Sequence, residues 1–317
     1  MCVGPRVKSN EWGKQLKPEI ERHQGWIEMI VAMTISGTIG VCVLKSGQSA
    51  ENVVFVRCAA GFACLLPFCW YRRMICKRYF APRLLAITVA AGVLMVVNWV
   101  LLFKAFSLVT IGFATIVYHV NPFLILIGAA LFMRQRITRK DVGWTALAFV
   151  GFVILVNPAS AVATLDIRQL GGIALVIAAT VMYSGTVLLT KRLSGLPTPF
   201  IVMVQTGVGA LLTLPFAHLH DLPKDVGAWG WLVALGVVHT FLLYSLVFSA
   251  YQKLSVPSIA VLSFIYPLSA ALCDYLFFGH LLTATQIAGG LLILFSTTGL
   301  KLQWNLLPRM LAVKSET

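Results

Sequence analysis

Long apolar runs, each close to the length of a membrane span, leave this chain little choice of fold. A helix rising about 1.5 Å per residue needs about 20 apolar residues to cross about 30 Å of hydrocarbon. Ten runs of that kind follow one another: Trp26 to Leu44, Val53 to Trp70, Leu84 to Phe106, Thr110 to Met133, Val142 to Val156, Leu170 to Leu189, Pro199 to Phe216, Val226 to Ala250, Val256 to Phe278, and Ala284 to Leu302. The fifth is the shortest. Lipid offers no partners to an open strand edge, so the runs are predicted to be helices. The expected class is an all-α membrane protein with ten transmembrane helices. Charged residues form only 11% of the 317, against about a quarter in soluble domains, so water is not the main solvent.

The net charge of +14 would point to nucleic acid if the basic residues formed one patch. They instead fall in short clusters between apolar runs, and a nucleic-acid partner is excluded. Lys and Arg gather in the N-terminal tail, the second loop (Arg72, Arg73, Lys77, Arg78, Arg83) and the fourth loop (Arg134, Arg136, Arg139, Lys140), whereas the opposite face holds Lys45, Lys104, Arg168 and Lys224. Positive loops stay inside, which places both termini in the cytoplasm. Residues 1–25 mix Arg and Lys with Glu11, Glu19 and Glu21 and have no apolar core, so they are expected to be a cytoplasmic tail and not a cleavable signal. Six of the seven cysteines lie in or beside apolar runs without a Cys-x-x-Cys pair, as buried thiols do. No metal centre and no cofactor is expected.

The chain repeats itself. Ile35-Ser36-Gly37-Thr38-Ile39 returns 148 positions later as Tyr183-Ser184-Gly185-Thr186-Val187, and Leu66-Pro67-Phe68 returns as Leu214-Pro215-Phe216. After a shortening before the eighth run, Phe103, Ala105, Pro122 and Thr138 match Phe248, Ala250, Pro267 and Thr283 at a shift of 145. Duplication therefore gives a first five-helix unit at 26–156, a linker at 157–169, a second unit at 170–302 and a C-terminal tail at 303–317. Five is odd, so the second unit must enter the membrane upside-down. Inverted repeats of this kind are typical of secondary transporters.

Phe55-Val56-Arg57 ahead of Leu66-Pro67, the Asn121-Pro122 and Tyr266-Pro267 steps, and the segment from Gln286 to Gly289 resemble the drug/metabolite transporter superfamily, in its bacterial EamA-type branch. The resemblance covers nearly all of residues 26–302. It departs where the family often has Gly-Glu-x-Leu-Thr: this chain has Arg134-Gln135-Arg136-Ile137-Thr138 and Gly279-His280-Leu281-Leu282-Thr283, without the acid. The resemblance implies movement of a small metabolite, commonly export of amino acids or related compounds, across a bacterial inner membrane.

Pro122 and Pro267 sit mid-span in both halves, where a missing N–H loosens the helix and frees carbonyls. Packing kinks are the alternative. Trp99, Tyr118, His119, Asn121, Tyr183, His239, Tyr244 and Tyr266 combine central depth with aromatic or hydrogen-bonding groups, and are the candidate lining of an aromatic-rich substrate site. Each taken alone also reads as ordinary helix-to-helix hydrogen bonding. Asp274 and Arg57 lie at comparable depth near outer helix ends. They are candidates for an ion pair, with Asp274 as a proton carrier the competing role. The expected partners are a small-molecule substrate and the lipid bilayer. The competing class is a membrane-embedded enzyme acting on lipid, which would need clustered acids or a nucleophile pair where this chain has isolated acids.

Overall fold

The computed structural model describes residues 11–105, 108–109, 111–156 and 167–304; linker residues 157–166, tail residues 1–10 and 305–317, and the run ends Phe106 and Thr110 lie outside them. Its regular structure is helical. The elements are α1 (Glu11–Ser36), α2 (Ile39–Ser46), α3 (Ala50–Tyr71), α4 (Pro82–Ala105), α5 (Ile111–Tyr118), α6 (Asn121–Met133), α7 (Arg139–Val156), α8 (Ile167–Lys191), α9 (Thr198–Thr213), α10 (Val226–Gly236), α11 (Leu243–Lys253), α12 (Val256–Leu262), α13 (Ile265–Phe278) and α14 (Ala284–Lys301). A π-helical turn, Val237–Leu242, joins α10 to α11.

Among the described residues, eight stretches are long and apolar enough to cross a membrane. The remaining two expected runs, α7 and α14, have 18 residues each, and α7 spends its first three on Arg139, Lys140 and Asp141. The N-terminal tail is helical from Glu11 and runs without a break into the first span. Outward side chains such as Leu131, Leu211, Leu276 and Leu291 are mostly exposed, while Arg57, Asn98, His119 and Gln205 are buried. That arrangement suits hydrocarbon outside and polar groups within.

Local chemistry explains most helix ends. Ser49, Asp225 and Ser255 accept from the backbone N–H three residues on, capping α3, α10 and α12. Thr283 and Gln286 form a reciprocal capping box that starts α14. Gly47 and Gly279 adopt left-handed backbone to close α2 and α13, and Arg134 does so after α6. Pro122 removes an N–H and would clash with the carbonyl of Tyr118, the last residue of α5. Pro267 stands in the same relation to Ser263, just past α12. Both spans therefore break where proline dictates. The break between α1 and α2 has no proline; there Gly37 and Thr38 turn through short bonds to the carbonyls of Thr34 and Ile35.

The helices pack in pairs: α4 along α8, α7 along α14, α3 along α9, and α1 along α11. Two seams depend on missing side chains. Gly151 and Gly289 bring the backbones of α7 and α14 into contact, and Gly61 and Gly236 do the same for α3 and α10. The largest apolar core runs from Trp26 and Met29 through Leu65 and Phe200 to Phe248 and Tyr251, between these pairs. Across α1 and α11, Lys253 Nζ donates to Glu28 Oε1 at 2.5 Å.

Candidate functional site

Two neighbourhoods gather the buried polar and aromatic residues. The first surrounds the break between α5 and α6. His119 is 4% exposed, donates through Nδ1 to the Thr115 carbonyl at 2.8 Å, and lies between the rings of Phe152 (4.3 Å) and Tyr266 (5.8 Å, interplanar angle 1°). Tyr118 reaches across to α8, its ring 5.8 Å from that of Tyr183, and donates to Asn98 Oδ1 at 3.3 Å. Asn98 in turn donates to the Ala179 carbonyl at 2.8 Å, so one amide ties α4, α5 and α8 together. Tyr183 shares a 3.2 Å hydroxyl contact with Tyr251. Asn121, beside Pro122, keeps a buried Oδ1 without a donor among the described residues.

The second neighbourhood surrounds the π turn. A π turn is wider than an α turn and commonly marks a functional segment. Here the Nδ1 of His239 and the hydroxyl of Thr240 reach carbonyls five residues back, donating to Ala234 at 3.2 Å and Leu235 at 2.8 Å. The His239 Nδ1 must carry a proton, since a carbonyl only accepts. Its Nε2 lies 2.7 Å from Thr38 Oγ1, which joins the π turn to the break in the first span. Arg57, 3% exposed, donates through Nε to Thr240 Oγ1 at 3.3 Å and through Nη2 to the His239 carbonyl at 3.2 Å. Its guanidinium stands 4.3 Å over the ring of Trp99, and Trp99 meets Tyr244 edge-on at 6.0 Å.

The structure thus groups Tyr118, His119, Asn121, Tyr183 and Tyr266 around one break, and Trp99, His239 and Tyr244 around Arg57. Arg57 and Asp274 are not brought together. The two ion pairs among the described residues are Lys253 with Glu28, and His280 with a half-exposed Asp274 at 2.9 Å. Asp274 finds its partner six residues along its own chain, outside the interior where Arg57 is held. Sequence reasoning passed over Tyr251, Phe152 and Gln205. The first two are aromatic residues in aromatic-rich apolar runs and carry no distinguishing signal. Gln205 had one, as the one amide side chain in the largely apolar α9.

The EamA-like transporter family matches the chain twice, over residues 24–157 and 170–301. An uncharacterized transporter of Bacillus subtilis, YxxF, is 31% identical over 80% of this chain and 81% of its own length. The pseudopaline exporter CntI of Pseudomonas aeruginosa is 28% identical over 79% of this chain and 86% of its own. A crystal structure of another protein superposes with a TM-score of 0.76 at 16% identity, covering 88% of this chain and 98% of that one, a likeness in fold alone. Two family matches spanning most of the chain, carried on apolar helices with a polar interior, make this protein a multi-pass membrane transporter that belongs to the EamA-like transporter family.

Proposed function

We propose that the protein is a secondary transporter that exports a small organic metabolite across a bacterial inner membrane by alternating access. Its two inverted five-helix halves, residues 26–156 and 170–302, make ten spans with both termini cytoplasmic. The observation that carries this reading is reciprocity of packing. Exchanging the halves turns the pair α1 with α11 into α8 with α4, and both pairs pack closely. It turns α1 with α13 into α8 with α6, also in contact, and returns the seams α3 with α9 and α7 with α14 to themselves. A two-fold relation between the halves accounts for every one of these pairs. The duplicated family match supports the same division. Trp99, Tyr118, His119, Asn121, Tyr183, His239, Tyr244 and Tyr266 line the proposed substrate site, with the proline breaks supplying flexible backbone beside it. The exporter name of the Pseudomonas relative supports the direction.

Flux of metabolites from proteoliposomes tests the activity. Protein-dependent release of unaltered compounds is expected, whereas a chemically changed product would favour a membrane-embedded enzyme. Topology is tested separately by single cysteines at Ser49, Lys77 and Asp221. An impermeant maleimide added outside intact cells is expected to label the first and third positions and spare Lys77; the opposite pattern would invert the orientation.

A further inference from the structure

Arg57 is a cation held inside the protein without an acid partner among the described residues. Intramembrane charges are costly and ordinarily pair. Two acids on other spans hold other partners: Glu28 bonds Lys253 through Oε1, and the half-exposed Asp274 bonds His280. What the protein gives Arg57 is partial: one hydroxyl, one carbonyl and one aromatic face. These fix the plane of the guanidinium and occupy Nε and one side of Nη2. Nη1 meets no acceptor among the described residues. The edge between Nη1 and Nη2 is the fork that takes an oxyanion through two parallel N–H bonds.

The fold holds this fork in place. Gly61 lies one helical turn beyond Arg57, and a Cβ there would stand 2.7 Å from Thr240 Cγ2; one on Gly236 would stand 2.4 Å from Ala60 Cβ. Both glycines let α3 lie against the π turn, and so place the hydroxyl and carbonyl that grip the guanidinium. Polar capacity on the neighbouring α9 is also unspent. Gln205 is fully buried, with neither its Oε1 nor its Nε2 paired. It sits on α9 one turn from Gly209, whose Cβ position is 2.7 Å from the sulfur of Cys58, the neighbour of Arg57. A buried guanidinium edge, fixed in place and without a counter-charge among the described residues, describes half of an anion site.

We propose that Arg57 is the docking group for an oxyanion, a carboxylate or phosphate, of the transported metabolite. This rests on the transporter reading above. Proteoliposomes holding the full chain are loaded with a soluble bacterial metabolite extract, and the compounds that leave are identified by mass spectrometry against protein-free vesicles. The released compounds are expected to carry a carboxylate or phosphate. In folded Arg57→Gln protein their KM is expected to rise about ten- to hundredfold, the value of a charge-assisted hydrogen-bond pair, with kcat changed less. Arg57→Lys keeps the charge without the fork and should fall between. An uncharged amide or ester of the released compound is expected to lose this dependence on Arg57. Release confined to compounds without an oxyanion overturns the proposal, even should Arg57→Gln fail to fold, and so does a wild-type KM in Arg57→Gln. If no compound leaves through the wild-type protein, the transporter reading falls first and the proposal with it.

Discussion

Valine in place of Gly289 is expected to abolish the monodisperse folded protein. At this point α7 and α14 touch backbone to backbone: a Cβ on Gly289 would lie 2.5 Å from the Gly151 carbonyl oxygen and 2.5 Å from Leu155 N. Reciprocally, a Cβ on Gly151 would lie 2.8 Å from the Gly289 oxygen. Neither obstacle is a side chain that can rotate away, so the two helices must separate along their length. Overpacking a core costs about 1–3 kcal/mol where side chains adjust, and more where backbone is the obstacle. Membrane helices depend on such close approach because lipid supplies no hydrophobic drive to hold them together. Gel-filtration melting in detergent measures the effect. Gly171→Ala, at a helical position where a Cβ meets nothing within 4 Å, is the control and should melt like wild type. Wild-type melting of Gly289→Val would show that the two helices do not meet as described.

A reversible bond between α1 and α11 is expected to stop flux completely. The Cβ position of Gly25 lies 2.9 Å from Lys253 Cβ, against about 3.8 Å in a disulfide, so a shift of about 1 Å seats the bridge. The two helices belong to different halves. In the proposed alternating access one half rocks against the other, so a bond across that seam should trap one arrangement. The experiment uses Gly25→Cys with Lys253→Cys in a chain whose seven native cysteines are replaced. Oxidised protein should protect both thiols from maleimide and show flux at the level of empty vesicles, and a reductant should restore it. Full flux in the oxidised, bridged protein would mean that α1 and α11 travel together, and would move the sliding surface to another helix pair.

Eight of the ten expected spans are found among the described residues, and they were legible because hydrocarbon imposes a length and forbids unpaired backbone, demands that appear directly in the order of residues. The interruptions at Pro122 and Pro267 were legible for a covalent reason, the missing N–H. The break at Gly37 and Thr38 and the π turn at Val237–Leu242 were not. Neither contains proline, and each is held by the other through the Thr38 to His239 contact, which joins residues 201 apart. Candidate site residues could be chosen by depth and polarity, but not sorted into neighbourhoods, because sorting requires knowing which helices touch. The pairing of Arg57 with Asp274 failed on that point. Similar depth on two helices says nothing about azimuth, and Asp274 points toward His280 at the end of its own helix.

The π turn also has a rotational consequence. It holds one residue more than an α-helical turn needs, and one residue corresponds to about 100° of rotation about the helix axis. Everything from Leu243 onward therefore faces a direction set by whether the turn stays wide. What keeps it wide are two side chains, His239 and Thr240, anchored to the carbonyls of Ala234 and Leu235. Were both apolar, the segment could relax to ordinary winding, and Tyr244 would swing from the edge of Trp99 by more than a quarter of a circle. His239 and Thr240 thus act as a detent that sets the angular position of α11, one turn before the aromatic residues it presents.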